Sequence, residues 1–211
     1  MAIPVVEGAN VGSGYSIAIP EHNAGDLIIV HAVSLFTYPS VPSASGTVPT
    51  WNTLSDANNG SWYSRVAYSV ATASDTTTGT WTYNDRMIVS VVSGHKETDF
   101  VGANSRTVGN ANGVSTGVYA PALTLAQNDG SSLVLRSIVA STLSGVLTVA
   151  TGHTAAINTR VTNICVGAYT KNDTTSAPAA SFTANEPGNY AAVSIEILAP
   201  SGGGNGFFSM F

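Results

Sequence analysis

An internal duplication constrains the fold of this chain more than any other feature. The segment Ser16–Ser34 aligns with Ala122–Ser141 at a shift of about 106 residues, and each reads as a short strand, an Asn-containing turn and a long apolar strand. Further along, Arg65–Val92 aligns with Cys165–Leu198. A short repeat of this kind cannot bury its own apolar face well. The two halves are therefore predicted to pack against each other.

The spacing of turn-forming residues along the chain predicts an all-β fold. No segment holds a 3.6-residue apolar period, whereas Gly, Pro and Ser/Thr clusters separate short runs rich in Val, Ile, Thr and aromatic residues. The predicted strands are Tyr15–Pro20, Asp26–Phe36, Trp62–Ala71, Thr78–Tyr83, Arg86–Ser93, Gly117–Ala126, Ser132–Ser141, Val146–Ala150, Asn163–Lys171, Ala179–Ala184 and Tyr190–Leu198.

These segments favour a jelly-roll-like antiparallel β-sandwich of about eight core strands, four from each half. Residues 1–200 are predicted to form a single domain, with pseudo-repeats at about 15–94 and 120–198. The segment Thr98–Val118 is expected to be a loop-like crossover between the halves. The Pro-rich loop, Tyr38–Thr50, is expected to be long and exposed.

Composition excludes several classes of protein. Only 9% of the 211 residues are charged and the net charge is −5, whereas ordinary domains have about 25% charged residues. Seven cations cannot neutralise a nucleic-acid backbone, and a 44% hydrophobic content argues against disorder. The sequence has no apolar run long enough to span a membrane, and its first residues do not have the pattern of a signal peptide. The single Cys165 excludes an internal disulfide and a zinc cluster.

Few residues suggest chemistry. His95, Glu97 and Asp99 would face the same way on an extended chain, which could form a metal or acid–base site; the alternative is a solvated loop after a strand. Glu97 and Asp99 could also resemble a glycosidase pair. No nucleophile elbow, phosphate loop or metal-binding signature is present in the sequence. The chain is therefore predicted to be no enzyme, with no catalytic residue, metal ligand or cofactor.

Aromatic residues allow two interpretations. Trp51 and Trp62 flank a polar loop and could stack on sugar rings, or they could pack in the core. Core packing is favoured for Tyr68 and Trp81. His31, inside an apolar strand, is expected to be a hydrogen-bonded core or interface residue.

The C-terminal tail, Ser201–Phe211, joins a glycine spacer to four large apolar residues, and is predicted to dock on a neighbouring subunit. Burying such side chains could contribute about 1.5–3 kcal/mol each before ordering costs. The alternative is that the tail folds back on its own sandwich. The docking residues are Phe207, Phe208, Met210 and Phe211.

The strand pattern resembles a known family. The run NAGDLIIVHA at Asn23–Ala32, RVAYSVA at Arg65–Ala71 and SDTTTGTWT at Ser74–Thr82 look like the β-sandwich module of tailed-bacteriophage virion structural proteins. Such modules occur in minor tail proteins, head fibres and capsid-decorating proteins. The similarity covers about Tyr15–Gly94 and, more weakly, Ala122–Leu198.

This resemblance implies a non-enzymatic virion component, assembled in the host cytoplasm, whose partners are other virion proteins and copies of itself. Neither nucleic acid nor a membrane is expected as a partner. The alternative function is a carbohydrate-binding, host-adhesion module that recognises a host surface glycan.

Overall fold

The computed structural model describes residues 3–110, 117–141, 145–171, 175–184 and 188–200. Their regular secondary structure consists of twelve β-strands. The strands are β1 Val5–Ser13, β2 Leu27–Ser34, β3 Asn52–Asn58, β4 Tyr63–Val70, β5 Arg86–Ser93, β6 Val101–Asn110, β7 Gly117–Ala120, β8 Leu133–Ser141, β9 Thr154–Val161, β10 Ile164–Lys171, β11 Ala180–Thr183 and β12 Asn189–Ile197.

Each half of the sequence forms one five-stranded antiparallel sheet. The first sheet has the order β1-β5-β2-β4-β3 and the second has β6-β12-β8-β10-β9, so the two sheets share one topology. The prediction of an antiparallel all-β sandwich is confirmed. The strand order does not confirm a jelly roll, because each half stays within its own sheet and supplies five strands to it rather than four.

The two sheets also share their irregularities. β3 has one extra residue at Leu54 opposite β4, and β9 has one at Ala156 opposite β10. β1 has an extra residue at Glu7 opposite β5, and the register of β6 shifts near Gly102 opposite β12. Because bulges are inherited features of a fold, their matched positions support the duplication.

The two sheets pack face to face around a shared apolar core. Side chains alternate along a strand, so Leu27, Ile29 and Val33 of β2 face the same core as Leu135 and Val139 of β8. The contacts are reciprocal, because β1 touches β9 while β6 touches β3, and β5 touches β10 while β12 touches β4. The halves are therefore related by an approximate two-fold axis, as in an isologous dimer.

Further segments cover the outer face of each sheet. Trp51 and Trp81 pack on the first sheet, and Phe182 of β11 packs on the second. Three of the segments that pack over these outer faces were predicted as strands but make only isolated β-bridges. They are Tyr15–Pro20, Thr78–Tyr83 and Val146–Ala150. They lie over a sheet face, where few backbone groups can pair in register.

Two loop predictions need correction. Most of the expected crossover Thr98–Val118 that the structure describes is a strand, because Val101–Asn110 forms β6 and pairs with β12. Its Gly, Asn and Ser residues suit an edge strand and give little β signal. The Pro-rich loop is exposed at its tip, Ser43–Thr47, but Val41 packs against the apolar cluster on the outer face of the first sheet, and Pro49 is buried.

Candidate functional site

The predicted His95 cluster does not come together as a site. The His95 ring nitrogens lie 2.6 Å from the Lys96 carbonyl oxygen and 2.9 Å from that of Gly25. Glu97 and His95 line a cavity of about 390 Å³, but Asp99 is not among its lining residues. No three His, Cys, Asp or Glu residues of the described chain are grouped closely enough to hold a metal ion. The structure therefore favours the solvated-loop interpretation.

The two tryptophans proposed for glycan stacking are buried. Trp51 is 8% exposed and donates its indole N–H to the Thr78 carbonyl at 3.0 Å, while Trp62 is 3% exposed in the central core. Trp81 donates to the same carbonyl oxygen. Neither Trp51 nor Trp62 presents a ring face to solvent, which stacking on a sugar requires. The core interpretation describes both.

His31 lies at the centre of the sandwich, between the two halves. Its Nδ1 is 3.0 Å from Ser137 Oγ and its Nε2 is 2.9 Å from Ser64 Oγ. His31 and Ser137 occupy equivalent positions of β2 and β8, separated by 106 residues. Burial lowers the pKa of His31 to about 3. The ring is therefore neutral at ordinary pH, and it serves as a polar link inside the core.

Arg136 is a fully buried cation that ties the loops of the second half together. It donates to the carbonyl oxygens of Pro121 and Pro178, at 2.8 and 2.7 Å, and to Ser194 Oγ at 2.7 Å. Its Nε–H donates to His153 Nε2 at 3.0 Å. Burial lowers the pKa of Arg136 to about 10. Its hydrogen bonds connect segments that are distant in sequence, so its role is structural.

His153 is oriented by that arginine. Because Nε2 accepts from Arg136, the proton of the neutral ring belongs on Nδ1, which lies 3.2 Å from the Thr151 carbonyl oxygen. Burial, with the positive charges of Arg136 and Lys171, lowers the pKa of His153. The single charged residue of the apolar run LVLRSIVA is the sequence signal for this network, which was not predicted.

Glu196 is a buried carboxylate that holds β6, one of the two edge strands of the second sheet. Its Oε2 accepts the backbone N–H groups of Ala103 and Ala126 at 2.9 and 2.7 Å, and its Oε1 accepts that of Gln127 at 2.8 Å. A Cβ at Gly102 would lie 2.4 Å from Oε2. Glycine is thus required where β6 departs from regular pairing, and the carboxylate is fully used inside the molecule.

Four exposed apolar side chains lie on segments at one end of the first sheet, and we call them the end patch. Phe36 is 76% exposed, Tyr83 59%, Tyr15 58% and Leu35 41%. The backbone N–H of Trp81 donates to the Tyr15 carbonyl oxygen at 2.7 Å, and the backbone N–H of Leu35 donates to Asp85 Oδ2 at 2.9 Å. These hydrogen bonds hold the segments of the end patch together. These four residues were not predicted as a site, and they come from distant parts of the chain.

Backbone geometry is also unusual at the end patch. Tyr83 has φ of 59°, in the left-handed region that bulky residues rarely adopt. Tyr15 and Tyr83, with Thr80 and Thr82, line a cavity of about 450 Å³. The end patch is therefore a shaped apolar surface, held partly by a strained residue.

The predicted docking residues Phe207, Phe208, Met210 and Phe211 lie outside the described residues. No known protein family, curated protein or solved structure was found to match the chain. Within the described ranges, no helix is both long and apolar enough to cross a membrane.

Proposed function

We propose that this chain is a non-enzymatic structural component of a tailed-bacteriophage virion, acting as a capsid-decorating, head-fibre, spike or tail-associated protein. The observation that carries the proposal is the contrast between interior and surface. Three fully buried ionisable side chains, those of His31, Arg136 and Glu196, are used in internal hydrogen bonds. The end patch, in contrast, leaves large apolar side chains open to a partner.

Assembly of such a component depends on burying apolar surface. Each side chain of the end patch could contribute about 1.5–3 kcal/mol when covered, before ordering costs. Because the four side chains carry no formal charge, their association should depend little on ionic strength. The expected partners are other virion proteins and further copies of the chain.

The alternative function, recognition of a host surface glycan, was assigned to two residues that are not available to bind a sugar. Trp51 and Trp62 are buried, and a buried ring cannot stack on a sugar. The virion component is therefore the function that the arrangement of the described residues supports best.

The test is the presence of the chain in purified particles of the phage that encodes it. Particles would be purified through two density gradients, and the copy number of this chain would be measured against the major capsid protein by quantitative mass spectrometry. A fixed number of copies per particle supports the proposal. A chain found only in the unassembled fraction of the lysate overturns it.

A further inference from the structure

We infer that the end patch of one copy receives the apolar residues Phe207–Phe211 of a second copy, so that chains join head to tail. This inference rests on the proposed function in taking copies of the chain as partners. It adds the surface that receives the tail and the polarity of the assembly.

The receiving surface matches the tail in chemistry. Tyr15, Leu35, Phe36 and Tyr83 are large, exposed and without formal charge. The tail offers three phenylalanines and a methionine after its glycine spacer. Exposed apolar clusters of this kind mark interaction sites, and the cavity between Tyr15 and Tyr83 has a volume of about 450 Å³, enough to admit a large side chain.

Two buried polar atoms near the end patch have no hydrogen-bond partner. The atoms are Asn84 Oδ1 and Arg86 Nε, in the two residues that flank Asp85 at the start of β5. They are two of four such side-chain atoms found in the described residues. An unsatisfied buried polar atom costs stability. A bound peptide segment that shifts the Tyr83 turn could satisfy these atoms with its own backbone.

The tail leaves from the opposite end of the molecule. Lys96 N–H donates to the Leu198 carbonyl oxygen at 2.9 Å, and His95 Nε2 lies 2.9 Å from the Gly25 carbonyl oxygen, so the segment before Pro200 lies near the start of β2. Leu35 and Phe36 of the end patch instead follow the last residue of β2, Ser34. The whole length of β2 separates the origin of the tail from the end patch.

The glycine spacer is too short for the same chain to fill its own end patch comfortably. The eight residues of β2 span about 26 Å. The path from Pro200 is at most about 24 Å to Phe207 and about 37 Å to Phe211 when fully extended, but its average span as a flexible chain is only about 15 Å and 18 Å. A tail of average span therefore falls short of the end patch of its own chain, whereas a neighbouring copy stacked end to end brings its end patch to the apolar residues.

Such a contact joins two different surfaces, so it is heterologous. Repetition of a heterologous contact gives a ring where the rotation closes and a filament where it does not. The inferred product is therefore a directional stack of sandwiches rather than a symmetric dimer.

The test measures self-association of the full chain by sedimentation velocity across a concentration series. Deletion of Ser201–Phe211 should abolish association, and Phe36→Ser should weaken it about 10- to 100-fold. Tyr119→Ser removes a side chain that is also exposed but lies on β7. This matched control should associate like the unaltered chain.

Tyr83→Asn separates docking from folding. Asn accepts the left-handed conformation better than Tyr does, so the variant should unfold at an equal or higher urea concentration while association weakens. A variant that associates as tightly as the unaltered chain, with its fold intact, overturns the assignment of the end patch.

A mixing experiment tests the polarity. The tail-deleted chain retains the end patch, and the Phe36→Ser chain with Tyr83→Asn retains the tail. Head-to-tail docking predicts that the mixture forms a one-to-one complex that grows no further. A mixture that remains monomeric while the unaltered chain associates refutes the inference.

Failure of this inference can be distinguished from failure of the proposed function. Particles that contain both the unaltered and the tail-deleted chain in equal copy number would reject tail docking and keep the virion role. A chain that stacks in solution but is absent from particles would do the reverse.

Discussion

The buried imidazole of His31 makes stability depend on pH. The ring is fully buried, and it lies within hydrogen-bond distance of Ser64 Oγ and Ser137 Oγ. A neutral ring has one N–H donor and one acceptor nitrogen, and a hydroxyl can serve either. Protonation would bury a positive charge in the shared core of the two sheets. Unfolding releases the ring into water, where it can take up a proton.

The direction and size of the effect follow from the two pKa values. Burial holds the pKa at about 3 in the folded chain, against about 6.5 when unfolded. The free energy of unfolding is at its full value above the unfolded pKa, because the ring is then neutral in both states. It falls as the pH drops below the unfolded pKa, and this loss is complete at about the folded pKa. Between about pH 7.5 and pH 5 the free energy of unfolding should fall by about 2 kcal/mol from this group alone.

The assay is urea unfolding of the unaltered chain and of His31→Gln at those two pH values. Glutamine does not titrate, and it should leave one of the two serine hydroxyls without a partner, at a cost of about 1–3 kcal/mol at both pH values. The variant is thus less stable throughout, but its loss of stability on acidification should be smaller by about 2 kcal/mol.

His153 provides the matched control, because its pKa is also lowered by burial and by nearby cations. His153→Gln should remove a separate part of the pH dependence and leave the part due to His31. If His31→Gln loses as much stability on acidification as the unaltered chain, the reasoning is refuted. A ring proton signal of His31 that titrates near pH 6.5 in the folded protein would refute it as well.

Two further predictions concern buried contacts, and both are read from urea unfolding. Glu196→Gln places an amide NH₂ against backbone N–H donors and should cost about 1–3 kcal/mol, whereas Glu97→Gln, at an exposed position, should change little. Gly79→Ala should cost more than about 1 kcal/mol, because Gly79 has φ of 73° and its added Cβ would lie 2.6 Å from Val48 Cγ1. Gly46→Ala meets open space and should be close to neutral; equal effects at the two glycines would contradict the packing argument.

The central strands could be predicted from the sequence because burial on both faces leaves an apolar run. β5 was predicted with its observed bounds, and β2, β4, β8 and β10 to within two residues at each end. The four missed strands, β1, β3, β6 and β9, are the edge strands of the two sheets. An edge strand is half-exposed and can be built from Gly, Asn and Ser, so neither hydrophobic alternation nor β-propensity identifies it.

The end patch could not be predicted for a different reason. Tyr15, Phe36 and Tyr83 are far apart in sequence, and only the register of β1, β2 and β5 brings them to one end of a sheet. The burial of Trp51 depends likewise on a hydrogen bond to Thr78, 27 residues away. Sequence patterns give the face on which a residue lies, but they do not give the neighbours that fold over it.

The duplication explains why the centre of the sandwich can be polar without symmetry. In a symmetric dimer, a residue near the two-fold axis meets its own copy, so two imidazoles or two hydroxyls would face each other. Here one chain holds both halves, and His31 of β2 meets Ser137 at the equivalent position of β8. The halves have diverged elsewhere too, since Arg136 occupies the position that Val30 holds in the first half. A chain whose halves differ can carry an end patch on one half and a tail that leaves from the opposite end, as the proposed head-to-tail assembly requires.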